Sequence, residues 1–473
     1  MTVSRSVARA VMFTSAFYAQ AALAQEVVDP PPVPSEPLVP SSPGQPIPAP
    51  SDPPAPPPAS APGSEAQAPF SGDYTWMNGQ SRQKAQLFKA FDGAITLSTY
   101  LDVNYAYSFS HPRDNTLTGS AAVGRHNEIQ INLASVGLDL NYKNMIGRLS
   151  VQYGNMLNII QDLDGSVNRG RSLTAQNLRY IREATAGYHF NALHGINVEA
   201  GIFMSYIGLE SYLLAENWNY NRSMICDQTP FYFQGARAQI YVSPTVKIEP
   251  WIMNGWQTYG KWNNVPSFGA QVRWSPKESI TVFGNFYGGT DTKGQEDRVR
   301  LHHDNSVLVR YFNEPTSSFI SKAAFSFNNH IGAETGGRDA TGAKLPGPAD
   351  SHLVGSSLVH RVWFSKDHFA LSLRGEVTSN PTSYAAQFPP PGFATGPGTK
   401  ALQAWGATAT FDILPTDSFT LRLEGVYRKA NVPYFAGSGG TTSPDGFLPI
   451  PAGYQPDGAK DQALVLIAAN FRL

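Results

Sequence analysis

The chain has one cysteine, Cys226, in 473 residues, so no internal disulfide can form and a cystine-stapled scaffold is excluded. Charge is also scarce. Asp, Glu, Lys and Arg make up 15% of the chain, against about a quarter in ordinary soluble domains, and the net charge is −1. That balance leaves no electrostatic footprint for nucleic acid. Beyond the first residues there is no apolar run of about 18–20, so no transmembrane helix is written in the sequence. GxSxG, HExxH and GxxxxGK[ST] are all missing, which removes the usual signatures of nucleophilic, zinc and phosphate chemistry. His302, His303 and Asp304 stand together without a metal-ligand spacing and read as a solvated cluster at a strand end or loop. Dispersed Ser, His and Asp residues could still converge as a hydrolase, but no spacing selects a triad.

What is present begins with MTVSRSVARAVMFTSAFYAQAALAQ. Arg5 and Arg9, an apolar stretch and Ala22-Leu23-Ala24 form a secretory signal peptide over 1–24. Residues 25–70 are rich in proline, which favours extended polyproline II, so they read as a periplasmic spacer. The spacer is a disordered tether or an arm that contacts the cell wall or another protein. Residues 71–92 form a lead-in, and NGQSRQKAQLFKAF (78–91) could close into a short helix.

After Gly93 the pattern alternates with period two. In GAITLSTYLDVNYAYS one face carries Ile95, Leu97, Leu101, Val103, Tyr105 and Tyr107, and the other carries Asp102 and Asn104. INVEAGIFMSY sets Ile196, Val198, Ile202 and Met204 against Glu199 and Ser205. FALSLRGEV and SFTLRLEGVYRK repeat the scheme with Arg374, Glu376, Arg422 and Glu424 on the polar face. Sixteen strands are expected, near 93–108, 127–142, 145–157, 178–191, 195–207, 231–243, 245–258 and 266–275, then 279–290, 302–313, 318–329, 354–365, 368–380, 401–412, 417–430 and 460–473. In the second, Ile129, Ile131 and Leu133 precede a phase shift to Val136, Leu138 and Leu140, which a bulge near Ala134–Ser135 or a different strand boundary accommodates.

Short turns, as at Lys143–Met145 and Lys366–Asp367, alternate with long connections such as 208–230 and 431–459. An even-stranded meander with that rhythm is an all-β transmembrane antiparallel barrel over 93–473, with short periplasmic turns and long extracellular loops. Hydrocarbon forbids open sheet edges, so the strands must close. A soluble β-sandwich is the competing fold, and it accounts less well for the turn rhythm.

Parity sends Asp102, Arg148, Glu199, Arg237, Glu249, Arg273, Arg374, Glu376, Arg422 and Glu424 into the lumen. Mixed charges there either sort solutes or neutralise one another and stiffen the wall. Two connections could fold inward and set the narrowest point: IIQDLDGSVNRGRS (159–172) and NWNYNRSMICDQTP (217–230). Either could equally stay an exposed loop.

IGLESY, NYNRS, PFYFQGARA and NGW, within 180–290, resemble the putative β-barrel porin-2, OmpL-like family of Gram-negative outer membranes. The resemblance runs from about Phe91 to the C-terminus. It implies a passive channel for small hydrophilic solutes in the outer membrane, with no catalytic residues to transfer and no cofactor. Tyr220, Arg222 and Trp256 would either organise loops near the pore mouth or serve structural packing alone. Outer-membrane lipid and hydrophilic solutes are the expected partners, and both a monomer and a homo-oligomer are open. A plugged structural barrel anchored by its proline arm is the alternative. The terminal ANFRL ends two residues after its aromatic, Phe471, where such barrels commonly end on one.

Overall fold

Alternation along each strand becomes a wall with an apolar outside and a polar inside. The computed structural model describes residues 88–161, 164, 178–381, 384, 402–441 and 451–473. The signal peptide, the spacer and most of the lead-in lie outside the described residues. Barrel strands β1 to β8 are Ile95–Ser108, Ile129–Tyr142, Met145–Tyr153, Ile181–Phe190, Ile196–Met204, Tyr232–Ser243, Val246–Met253 and Ser267–Lys277. Strands β9 to β16 are Ile280–Gly289, Val299–Asn313, Ile320–Thr335, His352–Phe364, Phe369–Asn380, Leu402–Thr416, Phe419–Ala430 and Asp461–Arg472. Each pairs antiparallel with its neighbour in sequence, and β16 closes on β1 with Leu464 opposite Ser108 and Phe471 opposite Leu101. The chain end completes the seam: Thr99 and Leu473 exchange backbone hydrogen bonds at 2.7 and 3.0 Å.

The outer face is the one the sequence marked. Leu101, Leu149, Val198, Leu373 and Leu423 are exposed, as a lipid-facing surface requires. Tyr142, Trp274, Phe369, Phe419 and Phe471 ring the short-turn end, and Tyr153, Phe268, Trp405 and Tyr427 ring the other. Amphipathic rings of this kind settle at the two membrane–water interfaces. Phe471 joins its ring although Arg472 and Leu473 follow it.

Several boundaries differ from expectation. Phe88–Ala90 is a short strand paired with Ile95–Leu97, so the end of the 78–91 segment is extended, not helical. β3 stops at Tyr153 and Asn155–Gln161 turns into a helix, because Gly154 (φ +135°) breaks the strand. The phase shift in β2 comes earlier than Ala134: Asp102 pairs with Leu133 and Val103 with Ile131, leaving Asn132 as the extra residue. Asn132 and Leu133 are therefore both buried, and Leu133 is not lipid-facing. Ile202 and Met204 are buried too, packed in one cluster with Met156, Leu157, Ile160 and Tyr212 from the connections.

Candidate functional site

The connection 205–231, between β5 and β6, folds into the barrel, and none of its residues is exposed. It contains the inward candidate 217–230 and is longer than expected. Of the other candidate, 159–172, only 159–161 and 164 are described; Asp164 accepts a hydrogen bond from the Tyr232 hydroxyl. An interior expected to be water-filled is thus largely occupied by the chain itself.

Wall charges hold this segment by its backbone. Glu424 accepts the Tyr220 and Asn221 N–H groups at 2.6 and 2.9 Å, and the Thr410 hydroxyl at 2.6 Å. Glu376 accepts the Met224 N–H at 2.6 Å. Arg374 donates to the Asn221 carbonyl at 2.6 Å and pairs with Glu210 at 3.1 Å. Arg422 donates to the carbonyls of Leu214 at 2.8 Å and Asn217 at 2.6 Å. Asp102 accepts the Tyr220 hydroxyl at 2.9 Å. Arg422, Glu424, Arg374 and Glu376 therefore grip one segment at several points between residues 210 and 224. Buried N–H and C=O groups away from regular structure need such partners, which is why charged side chains suit this face.

Further anchors escaped sequence reasoning. Arg428 donates to the Arg222 and Gly119 carbonyls, both at 2.8 Å, and pairs with Glu376 at 3.3 Å. Arg361 donates to the Trp218 carbonyl at 3.1 Å and pairs with Asp412 at 2.7 Å. Gly406 makes room for one pair, since a Cβ there would come within 2.9 Å of Glu376 Oε1 and 3.0 Å of Arg428 Cγ. The inner wall is also partly apolar, contrary to simple parity: Phe283, Leu308, Val359 and Trp363 receive Leu209 and Trp218 of the segment. Buried apolar contact of this kind adds to the polar anchoring. From the long-loop end, connection 109–128 covers the segment, with Ser120 donating to Asn221 Oδ1 at 2.7 Å and the Ala121 N–H to Asp227 at 3.0 Å. In that connection, hydrogen bonds from Arg125 hold the Glu128 carboxyl below its ordinary range.

The other five charges expected on the inner face lie on β3–β8, and four of them bond to other wall side chains. Arg148 sits between Asp139 (2.5 Å) and Glu183 (3.2 Å). Arg237 bridges Glu199 at 2.9 Å and Glu249 at 3.2 Å, and Lys247 also pairs with Glu249. Arg273 is buried and has no ion pair among the described residues. A narrow cleft lies between wall and segment, bordered by Arg148, Arg182, Glu183, Glu216 and Arg472.

Tyr220 is fully buried; Arg222 lies over the Phe231 ring at 4.3 Å and donates to the Cys226 carbonyl at 2.9 Å. Trp256 packs against Tyr287 and His302. Cys226 is buried. His302 and Asp304 are not a solvated cluster: both are buried within β10, and His303 faces the other way.

A closed sixteen-stranded barrel with an apolar outside, a charged inside and an inward-folded connection is a membrane channel of the porin class. Residues 94–473 match the family described as Putative beta-barrel porin-2, OmpL-like, and the chain belongs to that family. It is an outer-membrane porin, a passive channel for small hydrophilic solutes, and not a hydrolase. The motifs that suggested the family, IGLESY and NYNRS, lie in the inward segment, where Glu210 of the first accepts the Ser223 N–H of the second at 2.6 Å.

Comparison with curated proteins gives no match. Among solved structures, the barrel is similar to the anion-selective porin from Comamonas acidovorans, at 9% identity and TM-score 0.45, covering 80% of this chain and 99% of that one. It is similar to OmpT, an outer membrane protein of Vibrio cholerae, at 11% identity and TM-score 0.42, covering 82% and 100%. The outer membrane channel DcaP of Acinetobacter baumannii is similar at 11% identity and TM-score 0.45, covering 82% and 99%.

Proposed function

We propose that the ten inward charges divide into two sets with different work. Asp102, Arg374, Glu376, Arg422 and Glu424 hold the constricting segment. Arg148, Glu199, Arg237, Glu249 and Arg273 line the path of solutes along β3–β8. The observation that carries this reading is where the bonds go: each member of the first set has a hydrogen bond to the segment 210–224, whereas Arg148, Glu199, Arg237 and Glu249 pair with neighbouring wall side chains and Arg273 has no ion pair among the described residues. Fixed charges beside a narrow wet path order water and discriminate solutes by charge without any chemical step. In this reading the short turns face the periplasm, and residues 25–70 extend from that side as a spacer that reaches the cell wall.

Single-channel conductance in a planar bilayer, with the cation/anion reversal potential recorded under a salt gradient, tests the division. Replacing Arg148 and Arg237 by glutamate is expected to move the reversal potential toward cations. An unmoved potential in both variants, with the barrel folded, overturns it. Deleting 26–69 is expected to leave conductance intact, and lost conductance would give the arm a part in permeation.

A further inference from the structure

Two histidines and an aspartate with no telling spacing meet on the inner wall. His302 and Asp304 alternate inward on β10, and His330 of β11 stands directly opposite Asp304 in the ladder. All three are buried, and one ligand atom from each lies within 4.8 Å of the others. His303, between the first two, stacks on Phe286 at 4.3 Å and takes no part.

The surrounding hydrogen bonds fix both tautomers. Asn328 Nδ2 donates to the Asn305 carbonyl at 3.0 Å and to Ser306 Oγ at 2.9 Å, so its amide oxygen is the atom 2.9 Å from His330 Nε2. An amide oxygen only accepts, so His330 carries its proton on Nε2, leaving Nδ1 bare in the neutral ring. The Tyr384 hydroxyl donates to the Leu301 carbonyl at 2.9 Å, so its oxygen accepts from His302 Nδ1 at 3.1 Å. His302 Nε2 is then bare as well. These two bare nitrogens face each other at 3.0 Å. Beside them Asp304 Oδ1 is held by Asn285 Nδ2 at 2.8 Å and the Gly208 N–H at 3.3 Å, while its buried Oδ2 has no hydrogen-bond partner among the described residues.

Two lone pairs and a carboxylate oxygen converging out of solvent repel one another unless a cation lies among them. We propose that His302 Nε2, His330 Nδ1 and Asp304 Oδ2 bind a divalent transition-metal ion of the zinc type. Two imidazoles and one carboxylate suit Zn²⁺, Co²⁺, Ni²⁺ or Cu²⁺, whereas Mg²⁺ and Ca²⁺ take oxygen ligands. Tyr384 and Asn328 orient the two rings through their outer nitrogens, as the hydrogen-bond partners of metal-bound histidines do. The site also touches the inward segment. Gly208, at φ +84°, donates to Asp304, and Cys226 Sγ donates to Asn328 Oδ1 at 3.3 Å. A metal held here ties the constricting segment to β10 and β11. The competing occupant is a proton shared by the two imidazoles.

The test uses the untagged full-length barrel, stripped with chelator and titrated with ZnCl₂ calorimetrically. One Zn²⁺ per chain is expected. Tyr384→Phe, which spares all three ligands, is expected to weaken binding about tenfold, and His302→Ala/His330→Ala to abolish it. X-ray absorption of the zinc-loaded wild type, which needs no variant, is expected to show two imidazoles and oxygen in the first shell. No zinc uptake by the wild type, which leaves the shared proton as the occupant, overturns the site. So does full binding by the double variant, or a shell without imidazole.

Discussion

Glu424 and Tyr220, 204 residues apart in sequence, are joined by a 2.6 Å hydrogen bond from the Tyr220 backbone N–H to the Glu424 carboxylate. The same carboxylate takes the Asn221 N–H, the Asn221 side-chain amide and the Thr410 hydroxyl. A strand charge thereby substitutes for the sheet ladder that this stretch of backbone lacks.

Glu424→Ala should leave two buried N–H groups without their acceptor, at a cost of about 1–3 kcal/mol for each. The expected outcome is a loosened segment: higher mean conductance and more open-channel noise, with barrel content by circular dichroism unchanged. Glu424→Gln, which keeps an acceptor, should fall between. Identical traces from Glu424→Ala and the wild type would show that the segment is held without this carboxylate.

Glu376 pairs with Arg374 at 3.5 Å and with Arg428 at 3.3 Å, all three side chains being buried. Removing one member of such a group strands the others, so Glu376→Ala should cost roughly 3–5 kcal/mol. Replacing all three by Met and Leu, together with Glu210→Gln because that carboxylate pairs with Arg374, should cost less than the single change, because no buried charge is left uncompensated. Urea unfolding of the lipid-inserted protein measures both. A fourfold variant less stable than Glu376→Ala would refute the argument.

The wall was legible in the sequence because its rule is local. Leu373 and Arg374, or Leu423 and Glu424, announce opposite faces by being neighbours, and each of the sixteen strands lies where alternation put it, apart from shifted ends. The bulge at Asn132 was visible as a broken phase, though two or three residues out of place. The site was legible only in part. Parity picked out ten charges as candidates, but neither which of them bind the segment nor the further anchor Arg361, since Glu424 to Tyr220 or Arg361 to Trp218 is a long-range pairing with no period to betray it. His330 joins His302 and Asp304 only through the β10–β11 register, which two-residue alternation does not specify.

The outer face gives the plainest contrast. Leu423 is exposed near the middle of β15, one residue from Glu424, which is buried. In a membrane an arginine at Leu423 meets hydrocarbon and should cost about 2–4 kcal/mol near the midplane, falling toward either interface. In water it would cost almost nothing. Leu423→Arg should therefore lower the yield of folding into lipid vesicles, whereas Lys429→Arg, at the long-loop end of the same outward row, should not. Equal yields would mean that this face does not meet lipid. A reduced yield for Leu423→Arg alone would place Leu423 against hydrocarbon, which exposure alone cannot do.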